Sequence, residues 1–394
     1  MIRYEENNGE LTIFLEGHID SNNAHTVQTE IEKILESNSV TALTVDCAEL
    51  QYISSAGLRI ILRLRKSIPA FQVINVSSEV YEIFDMTGFT EMMPVHKAYR
   101  VISVEGCEVI GQGANGKVYR IDPDTIVKVY RDPDSLGEIQ HEREVARKAF
   151  VMGIPTAIPY DVVRVGEGYG SVFELLNAQS FAQILQSDLS RLDELAKMSA
   201  DLLKIIHATQ LKPGELPDVK QKSLKSAELL KDYLPAEDYG KLRQLMSALP
   251  DDTHVIHGDF HIKNIMLQGD EVLLIDMDTL CVGHPIFELG HMYNAYLGYS
   301  DVDHQNVAGF LGISYETSRQ YWETCLRYYL GTSDPEIIRT VGNKAMIIGY
   351  ARIMNHFVRH GGMQNSDSRV QIENCRKRLS QLLSVTDTLE IQMD

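Results

Sequence analysis

The sequence predicts an α/β domain followed by an α+β region in which strands come first and helices after. Three observations carry this. Strand and helix signals alternate from residue 1 to about 98. Near residue 100 they give way to antiparallel strands joined by a glycine-rich turn, and from residue 180 the signal is mostly helical. At 394 residues the chain is too long for one ordinary core, so two or three structural units are expected.

In the front part LTIFLEG, residues 11–17, has strand composition. AHTVQTEIEKILE, 24–36, places Val27, Ile31, Ile34 and Leu35 on one helical face. ALTVD, 42–46, reads as a short buried strand. AGLRIILRLRK, 56–66, repeats Leu58, Ile61, Leu62 and Arg65 at helical spacing. FQVINV, 71–76, is strand again, and SEVYEIFDMTG, 78–88, reads as a helix closed by Gly88. Strands separated by helices imply a sheet with parallel pairs and helices packed on it.

Beyond residue 100, VISVEGCEVIGQGANGKVYRI and TIVKVY read as antiparallel strands. EIQHEREVARKAF, 138–150, is a helix that Gly153 and Pro155 stop. A strand pair follows around YDVVRV and GSVFELL. From 180 to 250 the pattern is helical. Leu195, Met198, Leu202 and Ile205 mark one face of the longest helix of that stretch, which Pro213 and Pro217 break. A motif-rich segment, 254–290, precedes a helical C-terminal third. No Gly/Ser- or Pro-rich linker follows the front domain, so close-packed parts are expected rather than loosely tethered ones.

Composition is that of an ordinary soluble globular protein, 44% apolar and 23% charged. No apolar run approaches the ~20 residues that span a bilayer, and MIRYEENNGE lacks the basic-then-apolar order of a secretory signal. The expectation is a cytoplasmic protein with no membrane partner. Cys47, Cys107, Cys281, Cys325 and Cys375 form no CxxC pair, which argues against zinc or a disulfide framework and for buried thiols. A net charge of −18 repels duplex nucleic acid. The densest basic run near the front, RLRK at 63–66, falls on a predicted amphipathic helix, whose solvated face accounts for it. Nucleic acid is not an expected partner.

Four elements stand in the order that phosphoryl transfer needs. The first is Gly111-Gln-Gly113-Ala-Asn-Gly116-Lys-Val118, a glycine-rich hairpin whose backbone N–H groups can approach the phosphates of ATP. Alone it is a turn. The second is Lys128 in Ile-Val-Lys-Val on the next strand, suited to the α- and β-phosphates once the glycine loop precedes it. The third is an acidic partner for that lysine on the following helix. Glu142 shares a face with Ala146, Ala149 and Gly153; Glu144 is the alternative, since each step along a helix turns a side chain by ~100°.

The fourth element is His257-Gly258-Asp259-Phe260-His261-Ile262-Lys263-Asn264, then Leu-Leu-Ile-Asp276-Met-Asp278. Phosphoryl transfer needs a carboxylate to orient or deprotonate the acceptor hydroxyl, and oxygen ligands for the Mg²⁺ that bridges the phosphates. Asp259 fits the first task; Asn264 and Asp276 fit the second. The apolar run before Asp276 reads as a buried strand, at whose end a carboxylate is costly without a cation.

HGDFHIKN resembles the HGDxHxxN loop of aminoglycoside phosphotransferases, choline kinases and similar small-molecule kinases. Protein kinases usually carry Arg before the Asp and Lys two positions after it, where this chain has Gly258 and His261, and Ile-Asp276-Met stands in place of Asp-Phe-Gly. GHPIFELG, 283–290, resembles the family segment that often ends in Asp-Leu, with Glu288 at the acidic position. The resemblance covers about residues 103–390. It implies a protein-kinase-like two-lobed fold, with an N-terminal lobe over 103–179 and an enlarged helical C-terminal lobe over 180–394. It also implies ATP and Mg²⁺ as cofactors and a small-molecule acceptor. Phe173-Glu174-Leu175-Leu176 becomes the hinge where backbone groups meet adenine, so Glu174 and Leu176 join Gly111, Gly113, Gly116, Val118, Lys128 and Glu142 at the nucleotide. The acceptor pocket is expected among helices of 180–250 and 290–360. Asp301, Trp322, Tyr328 and Tyr350 have the chemistry to line it, but each such residue is more often packing or surface than site.

In the front domain YISSAGLR, 52–59, follows a strand and opens a helix, where a serine is first of all a cap. Asp46-x3-Leu50-x2-Ile53-Ser-Ser-Ala-Gly57-Leu58, with Gly17-His-Ile-Asp20 upstream, resembles the STAS domain of anti-sigma-factor antagonists over nearly all of residues 1–98. The resemblance implies that Ser55 is the phosphorylated serine and that the domain docks a protein partner. Ser54 stands where the family often has Asp. A phosphate at a helix N-terminus is electrostatically comfortable and adds about two charges to a docking surface.

The leading expectation is therefore a STAS-like domain over 1–98 fused to an ATP- and Mg²⁺-dependent kinase for a small-molecule hydroxyl. The first alternative is a signalling kinase that phosphorylates Ser55 of its own or a partner STAS domain. The second is an ATP-bound sensor without turnover.

Overall fold

A computed structural model describes residues 2–112, 116–133 and 135–391. Contacts divide the chain into two units, Met1–Glu105 with Val162–Tyr169, and Gly106–Asp161 with Gly170–Asp394.

The first unit is built on a five-stranded sheet. Its strands run Arg3–Asn7, Glu10–Ile19, Ala42–Ile53, Ala70–Val76, Val95–Lys97, and only the first pair is antiparallel. Buried residues alternate along the inner strands, as a sheet covered on one face requires: Leu11, Ile13 and Leu15 on one, Leu43, Val45 and Cys47 on the next, Phe71 and Val73 on the third. The helices Ala24–Ser37, Ser55–Ser67 and Ser78–Met86 contribute Ile31, Leu58, Ile61, Leu64, Val80 and Phe84 to the same core. The strand expected over 42–46 runs on to Ile53, carrying the chain to the serine pair. Gly57 lies on the first turn of its helix, and a Cβ there would stand 2.6 Å from Ile53 Cγ1 and 2.8 Å from Ile19 Cγ2. The glycine is therefore what lets the helix start close against the sheet. In this unit Val101–Ile102 also pairs in parallel with Arg164–Val165.

In the second unit the strands Thr125–Tyr130, Gly116–Asp122 and Glu108–Gln112 are antiparallel neighbours, and Gly170–Glu174 pairs with Thr125–Val129. The helix Leu136–Val151 follows them. The remainder is helical, with Leu192–Ala208, Val219–Ala227, Ile286–Tyr296, Tyr315–Leu330, Pro335–Arg359 and Ser366–Leu383 around one core. Asp334 caps the 25-residue helix Pro335–Arg359, and Pro335 opens it where a missing N–H costs nothing. On Leu192–Ala208, Leu195 and Leu202 are buried as expected, but Ile205 is exposed; Leu203 and Ile206 take the buried face. The alternating three- and four-residue spacing misplaces that last position because the buried stripe on this helix broadens there to Leu203 and Ile206.

Cys47, Cys281, Cys325 and Cys375 are buried and Cys107 is partly so. Among the described residues no helix is long and apolar enough to cross a membrane.

Candidate active site

Lys128 projects from its strand to two carboxylates. Its Nζ is 2.8 Å from Glu142 Oε1 and 3.0 Å from Asp276 Oδ1. Glu142 is buried on the helix face that carries Ile139, Val145, Ala146 and Ala149, and its second oxygen accepts from the Tyr130 hydroxyl. Glu144 pairs instead with Lys148 at 3.3 Å. Burial alone disfavours the Lys128 charge, but Asp276 and Glu142 outweigh it and raise the ammonium pKa, so the lysine stays charged.

The segment His257–Asn264 is held from several sides. Gly258 has φ +84°, and a Cβ there would stand 2.7 Å from the Thr279 carbonyl oxygen, so the turn admits only glycine. Thr279 Oγ1 donates to the His257 carbonyl at 2.7 Å. From the first turn of Ile286–Tyr296, the fully buried Glu288 accepts the His257 N–H and, at 3.0 and 3.1 Å, the Gly258 N–H. The longer glutamate thus fills the acidic position by clamping the loop backbone. Burial pushes its carboxyl up to about 7 against the pull of those two N–H groups. Phe260 and Ile262 point into the core, and the Ile262 N–H donates to Tyr296 Oη at 3.1 Å.

That anchoring leaves the Asp259 side chain half-exposed. Asn264 Nδ2 donates to its carbonyl at 3.0 Å and to Oδ2 at 3.3 Å, and His261 Nε2 lies 3.4 Å from Oδ2. Burial opposes its ionisation. The hydrogen bond and charge of His261, with His257 and Arg352, win, and hold the carboxyl down at about 2. Asp259 is a carboxylate at neutral pH.

Asn264 and Asp276 are brought together by the backbone, where the Ile275 N–H donates to the Asn264 carbonyl at 3.0 Å. Leu273 and Leu274 are buried, but the Asp276 side chain is 48% exposed, so it is not the buried carboxylate that the apolar run suggested; the chain turns out at φ +60° and Lys128 supplies the cation. Asp278, which the sequence reading left unassigned, faces a cleft of about 560 Å³ together with Glu142. Lost hydration, then the carboxylates of Glu142 and Asp276, push it up to about 6. Asn264, Asp276 and Asp278 offer hard oxygen donors, which suit Mg²⁺. Among the described residues no three His, Cys, Asp or Glu converge as a closed metal cage. Mg²⁺ needs none, since one or two carboxylates complete its shell with phosphates and water. The donors fit that ion.

In the glycine hairpin Gly111 pairs with Val118, which is half-buried. A Cβ on Gly116 would stand 2.1 Å from the Val129 carbonyl oxygen, so strand packing requires this glycine; one on Gly111 would make ordinary contact with Val118 at 3.5 Å. Gly113 lies outside the described residues. At the 173–176 segment the Glu174 N–H donates to Ile158 O and the Leu175 N–H to Asp124 O. The Leu176 N–H has no backbone partner among the described residues.

Of the acceptor-pocket candidates, Trp322 and Tyr350 are buried in the core, Tyr328 Oη bonds to Asp193 at 2.6 Å, and Asp301 is tied to Arg378 at 3.0 Å. None lines the cavity beside the loop. Arg352, which the sequence reading missed, does: its Nη1 donates to the Gly258 carbonyl at 3.3 Å across 94 positions of chain. No local motif announces such a contact.

In the first unit Ser54 caps the helix, its hydroxyl accepting the Gly57 N–H at 3.5 Å. Ser55 is the first helical residue and is exposed.

Comparison with known proteins gives two family matches. The family described as "Phosphotransferase enzyme family" matches residues 106–322, and the STAS domain matches residues 1–101. A Bordetella bronchiseptica protein named as an anti-sigma factor antagonist, BtrV, is 31% identical over 91 residues, 22% of this chain and 78% of that protein. The anti-sigma F factor antagonist of Paenibacillus polymyxa is 25% identical over 99 residues, 24% of this chain and 85% of its own. Among solved structures, a thermostable variant of aminoglycoside phosphotransferase APH(4)-Ia in complex with ADP and hygromycin B is 11% identical with a TM-score of 0.50. That likeness covers 78% of this chain and 100% of the other, and it is one of fold.

Proposed function

The chain belongs to the phosphotransferase enzyme family and carries a STAS domain at its N-terminus, and from that premise we propose that it is a cytoplasmic ATP-dependent kinase that transfers the γ-phosphate to a hydroxyl of a small molecule. One observation carries the reading: the convergence of Lys128, Glu142, Asp259, Asn264 and Asp276 from separate segments of the chain. In this reading residues 103–179 and 180–394 form the two lobes, and residues 1–98 are the docking or regulatory module.

Lys128, oriented by Glu142, neutralises the α- and β-phosphates. The hairpin of Gly111, Gly113, Gly116 and Val118 covers them, and backbone groups of Glu174 and Leu176 hold adenine. Asn264 and Asp276 hold Mg²⁺, which when bound draws charge from the phosphate oxygens. Asp259 accepts a hydrogen bond from the acceptor hydroxyl. As the acceptor oxygen bonds to the γ-phosphorus, its proton passes to the Asp259 carboxylate. The bond from the γ-phosphorus to the bridging oxygen breaks, and ADP leaves with the electron pair. The test is ADP release by the full chain against a panel of hydroxyl compounds, with Asp259→Asn as control. ATP binding without Asp259-dependent turnover on any compound would favour a sensor instead.

A second reading is a signalling kinase acting on Ser55. It is favoured by one observation: Ser54 takes the capping role and leaves the Ser55 hydroxyl exposed at a helix N-terminus.

A further inference from the structure

Beside the catalytic loop the second unit holds a cavity of about 300 Å³. Gly258 and Thr279 form one wall, and the helices Val219–Ala227 and Pro335–Arg359 form others. Its charged lining has a single sign: Lys222, Arg352 and Arg359 face it, and among the described residues that line it none is acidic. The chain as a whole has 55 acidic and 37 basic residues, so this local reversal needs an explanation.

Among the described residues the Lys222 and Arg359 side chains have no hydrogen bond or ion pair, and the Arg352 guanidinium gives one bond, to the Gly258 carbonyl. Arg352 also lies close enough to Asp259 to favour its ionised form. Gly258, in the cavity wall, immediately precedes Asp259, the carboxylate assigned to the transfer. His291, also in the lining, is buried, and its Nδ1 has no hydrogen-bond partner among the described residues. Cations of one sign gathered around a small cavity suit an oxyanion, and they oppose a polyamine such as an aminoglycoside.

We propose that this cavity holds the acceptor, and that the acceptor is a small alcohol bearing a phosphate or carboxylate group. Lys222, Arg352 and Arg359 bind the anion and the hydroxyl is presented to Asp259. The inference rests on the phosphotransferase reading above, and the transfer is the one written there: the oxygen–phosphorus bond to the acceptor forms, the bond to the bridging oxygen of ATP breaks, and the hydroxyl proton goes to Asp259.

The test uses the full chain saturated with Mg²⁺ and a non-hydrolysable ATP analogue, so that nucleotide occupies its own site. Inorganic phosphate, glycerol 3-phosphate, glycerate, glycerol and kanamycin are then titrated by calorimetry. The expected result is binding of the anionic probes and none of glycerol or kanamycin. Glycerol 3-phosphate against glycerate tells the phosphate source from the carboxylate one. Lys222→Met and Arg359→Met, both at exposed positions, should each weaken the anion about tenfold while nucleotide affinity holds. Absence of anion binding, an affinity unchanged in both variants, or turnover confined to neutral or cationic alcohols would overturn the proposal while leaving the kinase standing. The anion titration is repeated without nucleotide. A chain that binds the anions but no nucleotide keeps the cavity as an anion site and rejects the kinase reading, and with it the acceptor role.

Discussion

Lys128 and Asp276, 148 positions apart in the chain, meet at 3.0 Å and so join the strand Thr125–Tyr130 to the turn that follows Glu271–Leu274. With nearly half of the Asp276 side chain exposed, that ion pair contributes little to stability. Its value lies in position. The first prediction follows: Asp276→Ala should lose the Mg²⁺ dependence of nucleotide binding while its Tm stays within a few degrees of wild type. Nucleotide titrations with and without Mg²⁺ read this directly. A variant that kept the full Mg²⁺ effect would show Asp276 to be structural only.

Asp259→Asn should lower phosphoryl transfer by ~10²-fold or more with little change in ATP affinity. The asparagine keeps the shape of the loop, which Glu288, Thr279 and Tyr296 fix independently, but it cannot take the acceptor proton. Turnover and nucleotide affinity, measured on the same preparation, separate the two effects. Near-wild-type turnover would remove Asp259 from the mechanism.

Two glycines should respond oppositely to alanine. Gly258→Ala places a Cβ 2.7 Å from the Thr279 carbonyl in a backbone conformation at φ +84°, so a loss of ~1–3 kcal/mol and collapse of activity are expected. Gly111→Ala meets only Val118 at 3.5 Å and should leave stability near wild type. Thermal unfolding of both variants checks the pair, and equal Tm values would contradict the loop geometry.

What the sequence made legible follows from range. Glu142 could be set apart from Glu144 because a helix turn is a local rule, and the ordered motif from His257 to Asp276 names its own polar groups. Ile205 failed where the buried stripe broadened to include Leu203 and Ile206. Arg352, Lys222 and the clamp from Glu288 were not assigned. Each depends on how helices far apart in the chain pack around the loop, which periodicity within one helix cannot express. Asp301, Trp322, Tyr328 and Tyr350, read from the sequence as more often packing or surface than site, do not line the cavity beside the loop.

Asp301 carries a pH prediction instead. Its side chain, only 10% exposed, accepts from Asn374 at 2.8 Å, from Arg378 at 3.0 and 3.1 Å, and from Tyr350 at 3.1 Å. Burial opposes ionisation, but these donors prevail and its pKa is lowered from 3.8. The stability this cluster supplies is then fully present above the unfolded value near 3.8 and is lost as pH falls through the lower folded value. Asp301→Asn should cost about 2–3 kcal/mol at pH 7, less than a fully buried pair because Arg378 is 43% exposed. The difference between variant and wild type should narrow in acid. Denaturant unfolding at pH 7 and pH 3 measures it, and a gap that widened toward pH 3 would contradict the assignment.

The last prediction concerns Ser55, and it separates a signalling role from a fixed platform. Ser54 supplies the cap, a contribution of ~1 kcal/mol, so a phosphate on Ser55 need not remove it. The exposed hydroxyl lies on the first turn of a thirteen-residue helix, where two added negative charges meet unpaired N–H groups and a favourable dipole. If the kinase acts on this serine, mass mapping after ATP treatment should find phosphate on Ser55 in wild type and none in Asp259→Asn. Mixing two full chains tests transfer between molecules: Asp259→Asn retains the acceptor serine but lacks the base, and Ser55→Ala retains the base but lacks the acceptor. Phosphate on Ser55 of the first chain, appearing only when the second is present, would establish reaction in trans. Ser55→Ala should change Tm by less than Ser54→Ala, because only the latter removes a cap. An unmodified Ser55 in every mixture, with ATP still consumed on a small alcohol, would leave the metabolite kinase standing and reduce the STAS domain to a docking platform that this active site does not modify.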